Sequence, residues 1–160
     1  MRISNRSKIS IYNFINMMLL LALAGGIIAF FLEERLNVLG DFSFLFIVIP
    51  AVMLGVFYFI GRQIFEYDSD GEALNFRNRN IVPFINKPLS DEFPKYKLIS
   101  YEIIDMFLIK RLYVKVSSKS TGSTMLKYEI SYLSKKEIKD LKFSLNKVVK
   151  TNNEKKELTK

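Results

Sequence analysis

The chain has 160 residues, 24 of them Lys or Arg and 16 Asp or Glu, for a formal net charge of +8; this length accommodates one domain and an appendage. It contains no Cys, no His and no Trp, which excludes disulfides, thiolate nucleophiles, Cys-based zinc sites and every Ser-His-Asp or Cys-His mechanism. The side chain best matched to proton transfer near neutral pH is missing, so enzymatic chemistry would have to rest on a Lys, Tyr or carboxylate centre.

Residues 1–8 form a basic N-terminal segment with Arg2, Arg6 and Lys8. No charge follows until Glu33. A bilayer core about 30 Å thick is crossed by about 20 helical residues, so residues 9–32 are predicted as a first transmembrane helix. A secretory leader competes with this reading. The N-terminus is basic and Ala22-Leu23-Ala24 resembles an A-x-A cleavage site, with cleavage then removing residues 1–24. Against it, the apolar run continues past Ala24 to Leu32, whereas a leader's apolar stretch normally ends near the cut.

Residues 33–41 are a short loop with one basic residue and three acids, and residues 42–61 are a second uncharged span. Lys and Arg favour the cytoplasmic side. The N-terminus and residues 62–160 are therefore expected in the cytoplasm and the loop outside. Within the first span, Ala22 with Gly26 and Gly25 with Ala29 are small-xxx-small pairs, which let helix backbones approach closely. Packing against the second span is the plain reading, and dimerisation the functional one. Pro50 is expected to kink the second span. Neither span carries an Asp, Glu, Lys, Arg or His, which argues against an ion pathway.

Residues 62–160 hold 20 Lys/Arg and 13 Asp/Glu. Gln63–Tyr67 and Ala73–Arg77 read as a hairpin turned at Asp70-Gly71, with Phe65, Tyr67, Leu74 and Phe76 on one face. Asp68, Asp70 and Glu72 around Gly71 start like a calcium loop but lack the third ligand and the closing Glu, so they read as the turn. Residues 80–98 hold Pro83, Pro88 and Pro94; they predict a short edge strand and an irregular connection. Strands are expected over Lys97–Ile104, Phe107–Ser117 and Thr124–Leu133, the last two joined by a turn at residues 118–123. Lys110-Arg111 reads as a turn or an exposed strand edge, where Lys guards against aggregation. Ser134 and Glu137 form a capping box, and Ile138, Leu141, Leu145 and Val148 follow at helical spacing. The domain is thus expected over 62–150, with a disordered tail over 151–160.

Two N-terminal spans, the immediate hairpin IFEYDSDGEALNF, paired β-runs and a final helix introduced by YLSKKEIKDL resemble bacterial pleckstrin-homology-like membrane proteins. The resemblance covers about residues 10–150. It implies a mainly-β soluble domain, a sandwich or open barrel of about seven strands closed by a C-terminal helix. It also implies a bacterial inner membrane and carries over no catalytic residue.

The expected function is a non-enzymatic accessory module, anchored in the bilayer, that binds a protein partner or a second copy of itself through a sheet edge or groove. The alternative is a sensor of anionic lipid acting through Lys110, Arg111, Lys135, Lys136, Lys139 and Lys142. No catalytic, cofactor or metal residue is assigned, and no cofactor is expected. No nucleic-acid signature accompanies the basic charge.

Overall fold

The computed structural model describes residues 1–36, 40–118 and 122–157. Residues 37–39 of the expected loop, 119–121 of the expected turn and 158–160 of the expected tail lie outside the described residues. Two compact units result: residues 8–60, and residues 1–7 together with 61–160.

The first unit is an apolar helical pair. Helix α1 spans Ile9–Leu36 and α2 spans Leu45–Phe59. With the short 3-10 turn preceding α2, the second apolar helix covers Phe42–Phe59, 18 residues or about 27 Å at 1.5 Å each. Both helices are long and apolar enough to cross a membrane. Gly26 is buried where α1 meets α2: a Cβ added there would lie 2.0 Å from the carbonyl oxygen of Phe46. Ala22, Gly25 and Ala29 line the same shallow surface, facing Leu45, Phe46, Ile49 and Pro50. A Cβ on Gly25 would meet nothing within 4 Å, so of the two glycines only Gly26 is required by packing. The Tyr58 hydroxyl of α2 donates to the Asn16 side-chain oxygen of α1. Pro50 lies inside α2, whose helix is continuous from Leu45 to Phe59.

The second unit holds seven antiparallel strands in two sheets and a C-terminal helix. The strands are β1 (Arg2–Ser4), β2 (Ile64–Asp68), β3 (Ala73–Arg79), β4 (Leu89–Pro94), β5 (Leu98–Met106), β6 (Ile109–Ser118) and β7 (Gly122–Glu129); the helix is α3 (Lys135–Glu157). Strand order is β1-β2-β3-β4 in one sheet and β5-β6-β7 in the other. The β2–β3 hairpin turns at Gly71 with φ +68°, and Asp68 Oδ1 accepts the Asp70 N–H at 2.9 Å. Such an Asx contact and a left-handed Gly are what a tight turn requires. Phe65, Tyr67, Leu74 and Phe76 all face the core. Phe76 stacks on Phe93 at 5.7 Å and on Tyr128 at 4.8 Å, which joins the two sheets through aromatic rings. Leu141 and Leu145 of α3 enter the same core. The capping box forms: Glu137 N–H donates to Ser134 Oγ, and Ser134 N–H to Glu137 Oε2.

Several boundaries differ from expectation, and α1 runs on to Leu36, so residues 33–36 of the expected loop are helical. Residues 1–8 are no mere basic flank, because β1 pairs with β2 in register Arg2↔Asp68, Ile3↔Tyr67 and Ser4↔Glu66. Ile3 is buried, and Asn5, fully buried, donates to the Gln63 carbonyl and accepts from the Phe65 N–H. The chain before α1 and after α2 therefore belongs to one folded unit, and any layer that α1 crosses is recrossed by α2. The helix α3 also runs past Lys150 to Glu157, so the expected tail is helical over 151–157. Its Asn152 is buried and donates to the carbonyls of Lys95 and Leu98, at 2.7 and 2.9 Å. Finally, Phe107 lies in the β5–β6 turn rather than in a strand, and β7 ends at Glu129.

Candidate functional site

Lys110 and Arg111 occupy neither a turn nor a sheet edge. They are in β6, the central strand of its sheet, opposite Asp105 and Ile104 of β5. Lys110 Nζ is 2.7 Å from Asp105 Oδ2. Lys135, Lys136, Lys139 and Lys142 stand exposed on α3, interleaved with Glu137 and Asp140 of the same turns. The six residues thus divide between a sheet interior and a helix surface.

Two other features are more sharply shaped. Among the described residues, β4 pairs with β3 alone and β7 with β6 alone, so each leaves an edge unpaired. The two edges flank one groove. Its wider part, about 610 Å³, is lined by Ser90–Phe93 of β4 and by Thr124 and Leu126 of β7. A second part of about 340 Å³ lies between Leu89 and Asp91 on one side and Met125 to Lys127 on the other.

Which backbone groups point into it follows from the hydrogen bonds at each strand's end. Glu129 N–H donates to Asn78 Oδ1 at 2.8 Å, and Asn78 Nδ2 donates to Glu129 O at 3.0 Å. The Asn78 amide thus stands where a neighbouring strand would, on the side of β7 away from β6. Alternation along an antiparallel strand turns the N–H and C=O of Lys127 and Met125 to that same side. On β4, Lys95 N–H donates to Glu72 O at 2.9 Å, toward β3; the outward groups are then those of Ser90 and Glu92. Pro94 has no N–H to offer and blunts the far end of this edge.

The groove has a buried, hydrogen-bonded floor. Tyr128, fully buried, donates its hydroxyl to Asp91 Oδ2 at 2.8 Å. Burial, and then the bond to the Asp91 carboxylate, push its ionisation far above the ordinary phenol value, so it stays a donor. At the end of the groove where β2 begins and β7 ends, Arg62 donates from its backbone N–H and its guanidinium to Glu129 Oε2, at 2.7 and 3.2 Å.

The other feature is a cavity of about 480 Å³ beside α3, bordered by Tyr96, Phe143, Ser144, Lys147, Val148 and Asn152. Behind it, Tyr67 Oη shares a hydrogen bond with Ser144 Oγ at 2.9 Å, and Ser144 Oγ lies 3.2 Å from Ser69 Oγ. Burial raises the ionisation of Tyr67 too, although Ser144 and Ser69 pull it back and nearby Asp68 adds to the rise. These hydroxyls satisfy one another and fasten α3 to β2; they bring no nucleophile beside a base.

The groove was half legible in the sequence. The prolines of residues 80–98 announced an edge strand, but its facing partner β7 and the Asn78 bridge join residues far apart in the chain. Compared with protein-family models, curated proteins and solved structures, the chain finds no match.

Proposed function

We propose that this chain is a membrane-anchored, non-enzymatic interaction module. It presents a pleckstrin-homology-like domain at the cytoplasmic face of a bacterial inner membrane and holds there an extended segment of a partner protein. The domain reading is supported by four strands in one sheet, three in the next and a closing helix, with the α1–α2 hairpin inserted between β1 and β2. The cytoplasmic reading is supported by the basic flanks Arg2, Arg6, Lys8 and Arg62 against the acids Glu33, Glu34 and Asp41 between the two apolar runs.

The observation that carries the binding reading is the pair of unpaired edges, β4 and β7, across one groove. An added strand would draw affinity from the outward N–H and C=O groups of Met125 and Lys127, and specificity from side-chain pockets on either side. Met125, exposed at the edge, offers an apolar contact to the first such side chain. The lysines of α3 support a lipid-sensing role less well, because Glu137 and Asp140 dilute their field.

The test exploits the direction of one N–H. In Met125→Pro the donor lost is one that faces away from β6, so the β6–β7 ladder is spared while strand addition is blocked. The full chain in mild detergent is expected to retain a stoichiometric protein partner as wild type and as Met125→Ala, and to lose it as Met125→Pro. Equal recovery by Met125→Pro, folded as judged by its urea midpoint, would refute strand addition.

A further inference from the structure

Two loops of the β unit display large apolar side chains to solvent. Phe84, in the β3–β4 connection, is 94% exposed and Phe107, in the β5–β6 turn, is 95% exposed. Ile85, Met106 and Leu108 beside them are exposed as well. Phe107 also has φ 45°, a left-handed conformation that a bulky residue rarely adopts and that Gly or Asn would enter at less cost. The turn therefore tolerates backbone strain and at the same time holds an aromatic ring in water. Neither is explained by the packing of the domain.

Both loops lie at one end of the β unit, the end from which the chain departs toward α1 and α2. Asn5 is bonded to Gln63, so the two departing segments run side by side there. The β3–β4 connection is tied to the same place at both of its ends: Ile81 N–H donates to Gln63 Oε1 at 3.2 Å, and an Arg62 guanidinium nitrogen donates to Lys87 O at 3.3 Å. Arg62 is bonded to Glu129, whose register partner is Arg111. From that rung β6 continues back through Lys110, whose carbonyl still accepts the Ile130 N–H and whose N–H donates to Ser131 Oγ, and then through Ile109 to the turn at Phe107. Four residues at about 3.3 Å carry the tip about 13 Å past the Arg111–Glu129 rung.

The charge nearby has the sign that suits a lipid surface. Arg6 precedes α1, Lys87 lies in the first loop, and Lys110 and Arg111 lie in the second hairpin, against Asp105 alone on its tip. Apolar and aromatic side chains bordered by Lys and Arg are the composition of segments that settle at a bilayer interface.

We propose that the tips Phe84-Ile85 and Met106-Phe107-Leu108 insert into the interface of the leaflet that α1 and α2 leave on the domain side, so that the domain is held at four points rather than hung from two tethers. The inference rests on the reading of α1 and α2 as membrane spans. It assigns the end of the domain that meets the lipid.

The chain contains no Trp, so single Trp reporters are unambiguous. The full chain is reconstituted into vesicles of phosphatidylcholine and phosphatidylglycerol, with and without bromine on the acyl chains. Four variants are compared: Phe84→Trp, Phe107→Trp, Tyr96→Trp at the opposite end of the domain, and Phe31→Trp within α1. The proposal expects blue-shifted emission and bromine quenching for Phe84→Trp and Phe107→Trp, with Tyr96→Trp unquenched. If Phe31→Trp is quenched and both loop reporters behave like Tyr96→Trp, the insertion is refuted while the spans stand. If Phe31→Trp is itself unquenched, the spanning reading fails and the insertion with it. Quenching of Tyr96→Trp to the same degree as the loops would refute the end-on placement.

Discussion

Asn5 is the most informative single residue to change, because it stands in a segment that resembles the basic head of a leader yet is built into the sheet. Its side chain is fully buried. Nδ2 donates to Gln63 O at 2.7 Å and Oδ1 accepts from Phe65 N at 2.8 Å. Asn5→Ala leaves that carbonyl and that N–H unpaired, in residues that are themselves buried. Each orphaned group costs about 1–3 kcal/mol, and allowing some access of water at the strand end gives a loss of about 3 kcal/mol. For a domain of this size the dependence on urea is about 1.5 kcal/mol per molar, so the midpoint should fall by about 2 M. The assay is pulse proteolysis of the full chain in detergent across a urea series, following loss of the β unit. Arg6→Ala is the control: Arg6 is exposed and should shift stability by less than about 0.5 kcal/mol. A midpoint for Asn5→Ala within about 0.3 M of wild type would mean that residues 1–5 do not belong to the sheet, and the same argument would then fail for β1 as a whole.

Asn78→Ala removes three hydrogen bonds, to Ile64 O and to the N–H and C=O of Glu129; a loss of about 3 kcal/mol is expected, accompanied by faster hydrogen exchange at the Glu129 amide. Gly26→Leu should disrupt the α1–α2 pair, since even its Cβ would collide with Phe46 O, whereas Gly25→Ala should be silent; thermal aggregation in detergent separates the two. Phe107→Gly relieves a left-handed residue and should raise stability by about 1 kcal/mol, read as a higher urea midpoint. In alkali, Tyr67 and Tyr128 should resist ionisation in the folded state. Their folded ionisation lies above the unfolded value near 10, so their contribution is complete below about pH 10 and is lost as pH rises beyond it. A spectrophotometric titration that ionised every tyrosine reversibly near pH 10, with the fold intact, would contradict this.

What could be read from the chain alone was what neighbouring residues decide among themselves. Uncharged runs long enough to span a bilayer give α1 and α2. Alternation at Leu112, Val114 and Val116 gives β6, Asp70-Gly71 gives the β2–β3 turn, and Ser134 with Glu137 gives the start of α3; each signal lies within a few residues. The small-residue stripe in α1 was visible too, although only the backbone approach at Phe46 singles out Gly26 from Gly25. Tertiary structure decided the rest. Three residues of β1 are too few to show a period, and they become a strand only because β2 offers an edge. Residues 151–157 are polar by composition, yet they remain helical where Asn152 reaches the carbonyls at the β4–β5 corner. Lys110 and Arg111 looked like an edge because charge interrupts an apolar run, but β5 and β7 on either side make their strand central. The groove, the overhanging Phe107 turn and its common end with Phe84 depend on contacts across 50 or more positions of sequence, such as Asn78 to Glu129. Local pattern records which face of an element is apolar; which element meets that face is settled by hydrogen bonds and packing that only the folded chain can make.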